Sequence, residues 1–209
     1  MRMPNGGLTE EEGEHGLQDF VDGVGEALNG IMKSLANITE AAEKATAKEE
    51  GHTAQLQTLT VELRSLGEKR SPEIASRLNS LNRQRADDMV EHASRLEAEL
   101  PALRGARERL TANMTGFLSL TRVERIQLGD HEAHLKLTVT LMERVESLRG
   151  LLVSLRGARE ACGLLGGFSQ DVDGAITVMK RALGRLIDEI EIQESDVTRL
   201  VHVLGEHRQ

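Results

Sequence analysis

The densest cluster of side chains that could do chemistry is Asp130-His131-Glu132-Ala133-His134. His131 and His134 stand three apart, so on a helix they share a face and could offer two imidazole nitrogens to a metal. The zinc-protease pattern sets its histidines four apart with Glu directly after the first, and here the spacing is one short. No other His or Cys stands at ligand spacing. The plainer reading is a helix start, with Asp130 as N-cap and the histidines in solvent. Cys162, the single cysteine, has no evident base to generate a thiolate and reads as a small buried hydrophobe. Gly23-Val24-Gly25 has no strand before it and lacks the third glycine of a dinucleotide loop. Asn37-Ile38-Thr39 and Asn113-Met114-Thr115 match the glycosylation sequon but fall inside helical seams. The sequence therefore calls for no catalytic residue, no metal and no cofactor, and predicts a non-enzymatic protein.

What the sequence does specify is helix packing. Alternating steps of four and three from Leu17 reach Val21, Val24, Leu28, Ile31, Leu35, Ile38, Ala42, Ala45, Glu49, His52, Leu56, Leu59, Leu63 and Leu66. Only Glu49 and His52 are not apolar, and the phase never slips, which is the heptad seam of a coiled coil. That polar layer either sets register, acts as a pH-sensitive weak point, or is a loosened, half-exposed turn. Gly51 within it allows a hinge. Gly16, Gly23 and Gly30 recur every seven residues; they let a neighbouring helix come close or simply weaken their own helix.

Taken in order, Met1 to Leu8 is a Gly/Pro/Asn-rich, disordered start. Thr9 with Glu12 forms a capping box, and the first helix spans about 10–66. Gly67 ends it, and Ser71-Pro72-Glu73 restarts a helix with Ser as N-cap and Pro in the first turn. The second helix, about 73–128, carries Ile74, Leu78 and Leu81, slips phase by one residue near Arg85, and resumes with Met89, Ala93, Leu96, Leu100, Leu103, Arg107, Leu110, Met114 and Phe117. Pro101 lies in this seam and predicts a kink. The third helix, about 130–165, carries Leu141, Val145, Leu148, Leu152, Leu155 and Cys162. After Gly166-Gly167, Ser169 caps a fourth helix, 169–206, with the seam Val172, Ile176, Met179, Leu183, Leu186, Ile190, Gln193, Val197, Leu200 and Leu204. Helices of matched length joined by short turns predict an all-α, elongated antiparallel coiled coil or helical bundle: a long hairpin over 9–128 and a shorter one over 129–209, packed on the first or extending it.

Composition agrees. The chain has no Trp or Tyr, three Phe, three Pro and 29% charged residues, so strand formers are scarce and helix formers abundant. The net charge of −8 is concentrated in residues 1–50, where eleven acidic residues face four basic ones. That balance repels phosphate backbones and anionic lipid. A lone cysteine excludes a disulfide scaffold, and neither a signal peptide nor a run of roughly 20 apolar residues is evident, so the expectation is a cytoplasmic protein. Arg64, Lys69, Arg70, Arg77, Arg83 and Arg85, interleaved with Glu62, Glu68 and Glu73, read as a solvated surface around the first turn, or as a dock for an acidic partner.

The functional expectation is a coiled-coil scaffold subunit that spaces or tethers proteins in a larger complex. Its partners would be other helical proteins or copies of itself, with no nucleic acid and no membrane. The seam residues Leu28, Ile31, Leu35, Ile38, Leu59 and Leu63 are the candidates for partner binding. The alternative is a membrane-active helical protein that inserts Phe20 to Ile31 and Leu151 to Phe168; Arg156, Arg159 and Glu160 weigh against it, since charge at bilayer depth is costly.

Overall fold

The computed structural model of the chain describes residues 10–66, 71–119, 132–165 and 169–206. They form five helices and no strand: α1 (Glu10–Leu66), α2 (Ser71–Ala98), α3 (Leu100–Ser119), α4 (Glu132–Leu164) and α5 (Gln170–Glu206). The all-α packed bundle expected from the heptads is what forms. Thr9, the Gly67–Arg70 turn, Gly129 to His131 and Gly166-Gly167 lie outside the described residues.

The expected second helix is α2 plus α3, and the interruption falls where Pro101 predicts it. Pro101 has no N–H for the Glu97 carbonyl and disfavours helical geometry at Leu100. Glu99 is the single turn residue between the helices, and its N–H donates to the Leu96 carbonyl at 3.2 Å, a three-residue step in place of four. Ser169 caps α5 as anticipated. Its hydroxyl accepts from the Val172 N–H at 3.2 Å and its carbonyl from the Asp173 N–H at 3.0 Å, while Asp171 and Asp173 occupy the positive end of the helix dipole.

The chain divides into two compact units that cut across the two expected hairpins. Unit 1 comprises Met1–Lys33, Pro101–Gly150 and Ile190–Gln209; unit 2 comprises Ser34–Leu100 and Leu151–Glu189. Each is thus assembled from four helical segments.

In unit 1, α1 packs Phe20, Val24, Ala27, Leu28 and Ile31 inward, with Leu103, Ala106, Leu110 and Met114 from α3, Leu137, Leu141, Val145 and Leu148 from α4, and Ile190, Val197, Leu200 and Leu204 from α5, all buried. Burying each large side chain is worth about 1.5–3 kcal/mol. Gly23 and Gly30 face α3. A Cβ on Gly23 would meet the Asn113 amide at 2.8 Å, and one on Gly30 would meet Arg109 at 3.2 Å and the Ala106 Cβ at 3.4 Å. The recurring glycine is therefore a close-approach device for α3. Gln193, the polar member of the α5 seam, is fully buried and donates to the Leu103 carbonyl at 2.9 Å.

In unit 2, α1 and α2 run antiparallel, as shown by Asn37 donating to Glu99 at 3.1 Å near one end and Arg77 to Glu62 at 3.3 Å near the other. Helices α2 and α5 run parallel: Arg83 pairs with Asp171 at 3.9 Å, and Arg185 with Glu97 at 3.0 Å, 88 residues apart. Ala86 and Met89 of α2 meet Val172, Ala175 and Ile176 of α5 in one apolar cluster, with Cys162 and Leu165 against it.

Candidate functional site

The polar layer at Glu49 and His52 finds its partners on α2, where that helix slips phase. The register of α1 brings Lys48, Glu49 and His52 alongside Arg85 and Asp88. The Arg85 guanidinium donates twice to the Glu49 carboxylate, through Nε to Oε2 at 3.0 Å and through Nη2 to Oε1. Arg85 is 2% exposed and is among the largest side chains in the core, so the reading of it as part of a solvated basic surface is corrected. The reason is the slip itself: it rotates Arg85 into the seam opposite Glu49, and a bidentate carboxylate satisfies a fork that would otherwise be costly to bury.

One turn further, Asp88 takes two donors. Lys48 Nζ donates to Oδ1 at 2.9 Å and His52 Nε2 to Oδ2 at 2.9 Å. Burial pushes the Asp88 carboxyl up, but the hydrogen bonds from Lys48 and His52 outweigh it and hold it below the usual carboxylate range. A second histidine, His92, lies on the same helix face one turn beyond Asp88 and is buried. Neither of its ring nitrogens has a hydrogen-bond partner in the protein. Desolvation pushes its pKa below the usual histidine value, with Lys48 and Arg95 pushing the same way. Sequence reading missed His92 because the apolar stepping lands on Met89 and Ala93; the signal was the spacing Arg85, Met89, His92, Leu96, which is itself a heptad seam.

Of the six seam residues offered as partner contacts, Leu28, Ile31, Leu35, Ile38 and Leu59 are buried within the chain's own bundle. Leu63 is 41% exposed. The apolar side chains Phe20, Val24, Leu28 and Ile31 of the first candidate insertion segment are likewise in the core of unit 1. Among the described residues no helix is long and apolar enough to cross a membrane.

Among the described residues, the features that could carry chemistry do not converge. The side chains of Asp130 to His134 are not among those described, and among those that are, no three His, Cys, Asp or Glu are arranged to hold a metal. Burial pushes the Cys162 thiol up against the opposing influence of Lys180, so it packs rather than ionises. A groove of about 440 Å³ between α1 and α2 is lined by Gln55, Thr58, Ser80 and Gln84 around Leu59 and Leu81. Its one ionic side chain, Arg77, is paired with Glu62, and without an acid–base pair it has no proton to move.

A different surface stands out on α4. Its inner face carries Leu137, Leu141, Val145 and Leu148, yet Leu135, Val139 and Met142, spaced four and three apart, are 40%, 57% and 56% exposed. They form a second apolar stripe on the same helix, in unit 1. Comparison with protein-family models, with curated proteins and with solved structures finds no match to this chain.

Proposed function

We propose that the protein is a non-enzymatic helical-bundle subunit that scaffolds or spaces other proteins in an assembly, acting in the cytoplasm. The observation that carries this reading is the outward stripe Leu135, Val139 and Met142. The heptad seams spend their apolar residues inside the bundle, so a partner helix meets the chain at a face the bundle leaves over. That stripe has the four-three spacing of a helix-in-groove or coiled-coil contact. At about 25 cal/mol per Å², covering each of its side chains contributes about 1–2 kcal/mol. The partner is a helix with a matching apolar stripe, from another subunit or a second copy.

The double variant Val139→Asp, Met142→Asp tests this. Both positions are exposed, so helical content by circular dichroism should be unchanged. Light scattering should show wild-type self-association lost in the variant; if the wild type is monomeric, the variant should lose the companion that copurifies with the wild type at fixed stoichiometry. Identical behaviour of the two proteins in both measurements would remove the support for this surface.

A further inference from the structure

The buried layer of unit 2 holds two histidines, one partnered at a single ring nitrogen and one at neither. His52 has a carboxylate on one side: its Nε2 lies 2.9 Å from Asp88, while its Nδ1 is buried without a partner. His92 has nothing. It is 3% exposed, with both ring nitrogens unpartnered. A neutral ring in that position already leaves its N–H unsatisfied, and a charged ring would leave two.

The surrounding charges offer no relief. Facing His92 are Lys48 of α1 and Asp88, Glu91 and Arg95 of α2. Both carboxylates are committed, Asp88 to Lys48 and His52, Glu91 to Arg95. On α5, the register set by Arg185 and Glu97 puts Lys180 level with His92, and the Lys180 ammonium lies against Gly163 of α4. On α4, Arg159 lies against Gly184 of α5 and Glu160 is exposed. Among the described residues, the two carboxylates that act on the ring, Asp88 and Glu91, are both already paired, and the other two charged groups that act on it, Lys48 and Arg95, are cations. The buried Glu189 of α5 lies nine residues, more than two turns, along that helix from Lys180, the residue level with His92.

We propose that His92 is an acid-sensitive latch of unit 2: uptake of one proton in a core layer that holds no acceptor for it opens this unit, while unit 1 stays closed. The latch works through hydration. An imidazolium needs two acceptors, and separating α1 from α2 at this layer gives it water. The closed form disfavours the proton and the open form does not, so the open form binds more protons. The closed state is therefore favoured at neutral pH and loses ground as pH falls below the usual histidine value of about 6.5. A single proton sets the limit at a tenfold fall in the closed-to-open ratio per pH unit. A pH-sensitive weak point is one of the readings the sequence offers for the Glu49 and His52 layer; the latch is assigned to His92 instead because neither of its ring nitrogens has a partner, whereas His52 has Asp88 at Nε2.

Hydrogen exchange on the full chain at pH 7.5, 6.5 and 5.5, corrected for intrinsic rates, tests the proposal. Protection in residues 34–66 and 71–98 should fall by up to tenfold between pH 6.5 and 5.5, with residues 101–119 and 190–206 unchanged. His92→Leu should abolish the fall. Imidazole titration by NMR on the wild type provides a readout that needs no variant: His92 should titrate below 6.5. A midpoint at or above 6.5, equal loss of protection in both units, or a fall that persists in His92→Leu would each overturn the latch.

Discussion

Units 1 and 2 are each assembled from four helical segments, but different side chains fill their centres. Among the described residues, seven polar or charged side chains are buried: Ser34, His52, Asn82, Arg85, His92 and Glu189 in unit 2, and Gln193 alone in unit 1. Unit 1 is held by Leu, Ile, Val and Ala with Phe20 and Met114, and by glycines that draw α3 close. Its one buried amide is tied to a backbone carbonyl. Unit 2 gives up part of its apolar core to a charged layer. Such a layer adds little net stability, because desolvation offsets attraction. What it contributes is register: Glu49 and Arg85 are satisfied in one alignment of α1 on α2, and a slip strands both. The same layer makes unit 2 sensitive to protons, to which an aliphatic core is indifferent.

The largest effect should come from stranding the buried guanidinium. Glu49→Leu leaves Arg85, at 2% exposure, in the core without its carboxylate, and should cost about 3–5 kcal/mol in denaturant unfolding. Replacing both, Glu49→Leu with Arg85→Leu, should recover most of that loss and approach or exceed wild-type stability. The recovered chain should then tolerate alternative alignments of α1 on α2, visible as a broader unfolding transition. If the double variant is as unstable as the single one, the pair is a source of stability and the contrast between the units is drawn in the wrong place.

A smaller effect, with a different pH signature, attaches to Asp88. Its folded-state pKa lies below the usual value, so its contribution is fully present above about pH 4 and is lost as pH falls through and below that range. Asp88→Asn should therefore cost about 1–2 kcal/mol at neutral pH, and its stability should run parallel to wild type until pH 4, then converge with it. This acid step is separate from the one assigned to His92, which begins at about pH 6.5. Stability against pH in unit 2 should thus show two descents, and each variant should erase one.

How much of this was legible beforehand depends on what the signal measures. All ten seam positions named for α5 are buried, because there the apolar period and the packed face coincide. Arg85 was misplaced because an arginine reads as solvent-facing by type; only the slip in phase beside it, and Glu49 on the opposite seam, carried the information. The outward stripe of α4 escaped notice because a seam search follows one face, and Val139 and Met142 lie off it. The grouping into units was not legible, since which segments share a core depends on contacts between helices distant in sequence.

Glycine gives the finest comparison. Gly51 and Gly23 both interrupt the same long helix, one in each unit. A Cβ on Gly51 would meet nothing within 4 Å, and α1 is helical on both sides of it. Gly51→Ala should therefore stabilise by about 0.5–1 kcal/mol, the ordinary gain from restricting a flexible backbone. Gly25, in unit 1, also faces open space, and Gly25→Ala should gain the same amount. Gly23→Ala should not: its Cβ would sit 2.8 Å from the Asn113 amide, so the side chain must give way and the helical gain is offset. The three variants, compared by thermal unfolding, separate backbone freedom from packing. A loss in Gly51→Ala would mean that α1 bends at the charged layer after all, and that the glycine serves unit 2 as a hinge rather than standing there as a tolerated weakness.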